Sequence, residues 1–231
     1  SYRGRIHAEI HQMRSDQGGT VTGRFSYSNP NLQQIPARHG ILGPLIRSIF
    51  IPEKDHEWGI FDYSQQEPRL VVHYASLRHF TGAGKFVDSY QEDETTDFHT
   101  MVSEMADIPR KQAKTINLGL FYGMGKGKLM SQLGVNLETA SELLASYNER
   151  VPFVKQLMND TMNKAGKKGY LSTLEGRRCR FDQWEPTNEW GQKSLPLAEA
   201  QQQYGEHMIK RAWTYKALNR LIQGSAADQT K

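Results

Sequence analysis

Cysteine is almost missing from the 231 residues: Cys179 stands alone, which excludes an internal disulfide framework and any cysteine-rich metal site. No apolar run approaches the roughly 18 residues that a membrane span requires. The lone cysteine suits a reducing interior. The opening SYRGRIHAEI has neither an initiator Met nor a signal-peptide core, so the chain reads as an excised piece of something longer. A strong excess of one charge is absent too: 29 Lys and Arg against 25 Asp and Glu leave +4 and a pI near 9.1, compatible with nucleic acid without requiring it. The glycine-rich pieces FTGAGK and Gly123–Lys128 do not make a phosphate loop. Tyr122 stands where that motif needs Gly, and Leu129 where a Ser or Thr should bind magnesium. What remains is 37% hydrophobic composition, enough for one sizeable core or a core with a smaller lobe.

Against these absences stands one informative stretch, Arg110 to Gly123, RKQAKTINLGLFYG. At about 100° per residue, Arg110, Lys114, Leu118 and Tyr122 step along one side of a helix while Ala113, Ile116 and Leu120 gather on another. Helix rise puts the two cations about 18 Å and about 12 Å from the ring, a spacing that suits phosphates at one end and a base at the other. Asp107 is expected to cap the start, Pro109 to sit in the first turn, and Gly123, Gly125 and Gly127 to stop the helix.

In chain order, GRIHAEIHQ and TVTGRFSYS alternate around SDQGG and read as a hairpin between Gly4 and Ser28. Asn29 to Pro36 is a proline-bounded loop. Leu45–Pro52 and Trp58–Phe61 are short apolar strand candidates, the second delivering Asp62 at its end, where a carboxylate followed by the Tyr63 carbonyl offers hard oxygen donors to a divalent metal. Ser64 and Glu67 have the spacing of a capping box. Leu70–Arg78 continues as a helix, and FTGAGK with QEDETTD forms an irregular connector. Asn136–Lys167 carries long helical patterning broken at Pro152, and Gly169–Phe181 reads as a hairpin turning at Glu175–Gly176. Its Arg177, Arg178 and Arg180 fit either nucleic-acid phosphates or a solvated basic strand. Asp182–Leu197 receives no role, and Lys216–Lys231 is a helix with Asn219 and Gln223 on one face.

The residue order Arg, three residues, Lys, then Leu-Gly and Tyr-Gly resembles motif B of the family A DNA polymerases. DYSQQE at Asp62–Glu67 resembles motif A, and TGRFSYSNPNLQQIP resembles the TGR and PNLQ signatures of the same family. The resemblance runs through almost the whole chain, from about Gly4 to Lys231, with these signatures in the family's order. The resemblance implies an α/β (α+β) right-hand palm and fingers, with an antiparallel palm sheet and a mainly helical fingers lobe. Residues 1–80 would be the first part of the palm, 81–204 the fingers with the motif B helix at 108–123, and 205–231 the returning palm helix.

It also implies template-directed DNA synthesis on primer-template DNA from deoxynucleoside triphosphates, with two Mg²⁺ ions, in the cytoplasm of a bacterium or a phage-infected host. Asp62 and the Tyr63 carbonyl would hold metal. Arg110, Lys114 and His99, the last from Asp97-Phe98-His99, would hold the triphosphate, with Lys114 also catalytic. Gln65, Leu118 and Tyr122 would line the nucleotide, and Glu67 would pair with Tyr122 as a gate against a 2′-hydroxyl, in competition with the capping-box reading. Arg24, Asn219 and Gln223 would touch minor-groove edges, whose acceptors recur in every base pair.

The family's His-Asp-Glu motif C does not occur in these residues. The fragment alone is therefore expected to be inactive. Two other readings are a single-subunit RNA polymerase, whose family has a small residue where this chain has Glu67, and a non-catalytic nucleic-acid-binding module. A processivity factor is not indicated by any motif.

Overall fold

The computed structural model describes residues 4–15, 18–36, 39–189 and 191–231, and they form two compact units, Ser1–Ser64 and Gln65–Lys231. In the first, β1 (Glu9–His11) and β2 (Ser26–Ser28) pair antiparallel with Ile10 opposite Tyr27. The expected hairpin exists, though each strand is three residues long; Asp16 and Gln17, in its expected turn, lie outside the described residues.

Leu45–Pro52 does not form a strand. Its first residues belong to α1 (Leu42–Arg47), because Leu42, Leu45, Ile46 and Ile49 repeat with helical spacing and His39 Nδ1 accepts the Leu42 N–H at 3.1 Å. Trp58–Phe61 likewise forms no strand. Its neighbours among the described residues offer no ladder partner, and an extended segment without one leaves its backbone groups to water.

The second unit is mainly helical: α2 (Gln66–Ser76), α3 (Ala83–Glu92), α4 (Phe98–Ala106), α5 (Arg110–Phe121), α6 (Lys126–Leu133), α7 (Leu137–Arg150) and α8 (Pro152–Lys168). After these come the pair β3 (Tyr170–Ser172) and β4 (Arg178–Arg180), then β5 (Trp184–Pro186), α9 (Leu197–Tyr204), β6 (Ile209–Arg211) and α10 (Ala217–Thr230). The stretch expected to be an irregular connector contains α3, started by Gly82 in the left-handed region and anchored by the fully buried Ala83 and Phe86. The expected break at Pro152 is present. Asn136 caps α7 through the Thr139 N–H, and Pro152 opens α8, where a missing N–H costs nothing. The unassigned Asp182–Leu197 stretch supplies β5, paired antiparallel with β6.

The core centres on an aromatic cluster. Phe98 lies 5.1 Å from Phe86, 5.9 Å from Phe121 and 6.4 Å from Phe153, ring centre to ring centre, in tilted and edge-on arrangements that suit ring quadrupoles. Each such side chain contributes roughly 1.5–3 kcal/mol through burial. The same packing seats α4 against α5, so burying Phe98 and Phe121 sets the position of the residues on the opposite, open face of α5. The hairpin of β3 and β4 is clamped to α10: Arg177 pairs with Asp228 at 2.7 Å and donates to the Gly224 carbonyl. A Cβ at Gly224 would come within 3.0 Å of Thr173 and 3.1 Å of Arg177, so only glycine allows this approach without displacement. That engagement assigns Arg177 to holding the hairpin.

Candidate functional site

On α5, Arg110 and Lys114 are exposed, Leu118 is half-buried and Tyr122 is 38% exposed, while Ala113, Ile116 and Phe121 are buried behind them. The amphipathic reading of the helix therefore holds, with Leu120 packed against the core. Its ends differ from expectation. Asp107 does not cap α5; it closes α4 in the left-handed region, and Pro109 precedes the first turn of α5. At the other end Gly123, at φ +65°, ends the helix, and Met124 N–H donates to the Gly119 carbonyl at 2.7 Å. A Cβ at Gly123 would sit 2.6 Å from the Tyr215 carbonyl. Gly125 caps α6 and Gly127 lies inside it, so the chain turns and resumes as a helix.

Tyr122 Oη donates to Glu67 Oε2 at 2.8 Å, tying the end of α5 to the start of α2. The capping-box reading fails on register. Gln65, at φ +52°, is the residue that precedes α2, which places Glu67 second in the helix and Ser64 outside the cap. Pro68 is buried in the first turn, where its absent N–H is harmless.

Gln65 itself is occupied by backbone. Its Oε1 accepts the Phe98 N–H at 2.8 Å and its Nε2 donates to the Thr96 carbonyl at 2.9 Å, so it grips the start of α4. There Asp97 accepts the Thr100 N–H at 2.7 Å and pairs with Arg110 at 2.8 Å. Partial burial pushes the Asp97 carboxyl up, but the Arg110 guanidinium and the Thr100 donors outweigh it and hold the group at about 2. Arg110 is thus presented by an ion pair, whereas Lys114 makes no side-chain hydrogen bond or ion pair among the described residues.

Beneath this face lies a buried polar chain that residue patterning did not single out. His99, 8% exposed, has its Nδ1 2.9 Å from Asn117 Nδ2, and Asn117 Oδ1 accepts from the Tyr147 hydroxyl. Burial, and then the nearby positive charges of Lys114 and Arg110, push the imidazole pKa down against the pull of Asp97. The available signal was Asn117, one turn after Ala113 and one before Phe121: an amide on the apolar side of an amphipathic helix must find partners.

The first unit contains the remaining motif A residues. Asp62 and Tyr63 are exposed in an irregular segment rather than at the end of a buried strand. As hard oxygen donors they suit Mg²⁺, and among the described residues no three His, Cys, Asp or Glu side chains converge on them. Arg24 is exposed next to Gly23 in a turn closed by the Thr20 hydroxyl on the Arg24 carbonyl. In the second unit, Asn219 and Gln223 lie half-buried one turn apart on α10. No described helix is long and apolar enough to cross a membrane.

Comparison with known proteins gives a consistent picture. The family model described as DNA polymerase family A matches residues 1–231. A DNA-directed DNA polymerase of Pseudomonas phage M6 is 36% identical across 99% of this chain and 38% of its own length. Thermostable DNA polymerase I of Thermus aquaticus is 34% identical across 99% of this chain and 25% of its own. Among solved structures, the POL domain of Pol1 from M. smegmatis in complex with DNA primer-template and dNTP superimposes with a TM-score of 0.71 at 30% identity, covering 99% of this chain and 36% of that one.

Proposed function

Because the chain belongs to DNA polymerase family A, we propose that it forms the nucleotide-handling part of a longer, template-directed DNA polymerase that adds deoxynucleoside triphosphates to a primer 3′-hydroxyl. The chain spans 38% and 25% of the length of the phage M6 and Thermus aquaticus relatives. In this reading residues 1–80 begin the palm, 81–204 form the fingers and 205–231 return to the palm. The carrying observation is the open face of α5, where two cations and a half-exposed ring share one side and the ring's hydroxyl is held by Glu67.

Arg110 and Lys114 neutralise triphosphate oxygens, Lys114 being placed to steady charge on the leaving pyrophosphate. His99 donates to the same group. Tyr122 and Leu118 cover base and sugar, and Glu67, fixed by Tyr122, occupies the space that a 2′-hydroxyl would need. Gln65 acts through the backbone of α4 rather than on the nucleotide itself. Arg24, Asn219 and Gln223 read the minor groove of the primer-template, as amides and a guanidinium can without distinguishing sequence.

Asp62 and the Tyr63 carbonyl are this chain's share of the Mg²⁺ ligands, and further oxygen donors come from the rest of the parent protein. When bound, the metal would activate the primer hydroxyl and stabilise the leaving group. Glu67 favours deoxynucleotides over the ribonucleotides of a single-subunit RNA polymerase.

The test is primer extension. Residues 1–231 with Mg²⁺ give none, and the parent enzyme extends. Asp62→Ala in the parent abolishes extension while leaving primer-template affinity within about twofold. Extension by the Asp62→Ala parent would overturn the ligand assignment, and extension by residues 1–231 would overturn the shared-site reading.

A further inference from the structure

The chain Tyr147, Asn117, His99 crosses three helices, α7, α5 and α4, and ends at the face assigned to the triphosphate. Tyr147 and Asn117 have no exposed surface, so the polar atoms of these two side chains must find partners internally. The Tyr147 hydroxyl has no acceptor among the described residues other than Asn117, and that requirement orients the amide. If the amide were reversed, its NH₂ would point at the hydroxyl and the phenolic proton would be stranded in an apolar surround, where an unpaired donor is costly. With the carbonyl toward Tyr147, the NH₂ faces His99, and Nδ1 must accept. The imidazole proton then resides on Nε2. That nitrogen makes no hydrogen bond among the described residues and is not sealed from solvent.

We propose that Asn117 and Tyr147 are positioning residues that fix His99 as the Nε2–H tautomer, a neutral donor aimed at the nucleotide's phosphate oxygens. The proposal rests on the reading of His99 as a triphosphate contact. A neutral donor has a specific use here. Lys114 and Arg110 already supply positive charge, Asp97 faces the same ring from the start of α4, and a fixed N–H adds a directed bond whose strength does not change with pH. The alternative tautomer would present a lone pair to a phosphate oxygen.

The tautomer is read directly by two-bond ¹H–¹⁵N correlation spectra of the imidazole-labelled 231-residue chain, with His99 assigned from the spectrum of His99→Gln. The expected result is an unprotonated Nδ1 and a protonated Nε2 at neutral pH. Tyr147→Phe frees the amide to turn and should give a mixture of both forms. Asn117→Asp is close in shape but can only accept, so the ring should hold Nδ1–H and remain imidazolium to higher pH.

In the parent polymerase the wild-type KM for a dNTP should change less than about twofold between about pH 6.5 and about pH 8.5 from this group. Asn117→Asp should introduce a rise of about tenfold as His99 loses its second proton. An Nδ1–H tautomer in the wild-type chain, or one unchanged in both variants, overturns the relay. If the tautomers behave as expected while His99→Ala leaves the dNTP KM unchanged, the positioning stands and it is the triphosphate reading of His99 that fails.

Discussion

In the unit that ends at Ser64, Ile60 and Phe61 are 91% and 96% exposed, whereas Phe86, Phe98 and Phe153 in the unit that begins at Gln65 have no exposed surface. Every buried hydrophobic side chain among the described residues lies between Pro68 and Ala227. The two stretches do not differ in kind of sequence, since both contain short apolar runs and turn residues. They differ in where the covering surface comes from. Helices α2 to α8 lie against one another and α10 returns from the far end of the chain to pack on α2 and α8, so this unit closes its core from its own elements. Among the described residues the first unit has a hairpin with strands of three residues, a 3-10 turn at Leu32–Gln34 and one short helix, and a hairpin of that size has no second layer of its own. In the proposed polymerase this unit bears the metal-binding aspartate and the second unit bears the nucleotide face, so chemistry and substrate binding fall on parts of unequal self-sufficiency.

The sharpest way to break this comparison is a pair of matched truncations. Phe98→Ala removes the centre of the aromatic cluster and should cost about 3–5 kcal/mol, seen as a lower urea midpoint with little change in slope. Phe61→Ala in the same chain should change stability by less than about 0.5 kcal/mol. Equal effects would mean that the first unit buries its aromatic residues as the second does.

A smaller effect sharpens the functional side. Glu67→Ala in the parent enzyme removes the acceptor of the Tyr122 hydroxyl and, in the proposed reading, the bulk beside the sugar. Ribonucleotide discrimination, measured as the ratio of kcat/KM for deoxy and ribo substrates, should fall by the equivalent of about 1–3 kcal/mol. A constant ratio would leave Glu67 as a link between α2 and α5 and no more.

The smallest expected change is at Leu118. Its side chain has no donor to replace the hydrogen bond lost when a substrate lacks its 3′-hydroxyl, so dideoxynucleotides should be poor substrates. Leu118→Tyr should narrow the kcat/KM gap between deoxy and dideoxy substrates by about 1 kcal/mol. No narrowing would mean that this position on the open face of α5 does not meet the sugar.

Several elements could be read from residue order because their causes are local. The face of α5 follows from the helical period, the break between α7 and α8 from Pro152, and the start of α7 from the Asn136 side chain. The hairpin of β3 and β4 turns at Gly176, at φ +81°, where the sequence places Glu-Gly. The same local logic misled at Leu45–Pro52 and Trp58–Phe61. A short apolar run satisfies helix and strand alike until a neighbouring strand is present to accept its hydrogen bonds.

Asp107 misled for a related reason: a residue shortly before one helix can equally end the helix before it, and the turn into α5 fixed it in the left-handed region at φ +52°. Tertiary structure alone decided the partners. Arg110 finds Asp97, Gln65 finds the backbone at Thr96 and Phe98, and His99 meets Asn117 and, through it, Tyr147. These pairings span distances along the chain that no period encodes. They form because burying Phe98, Ile116 and Phe121 brings α4, α5 and α7 together, and the polar groups carried inside with them must then satisfy one another.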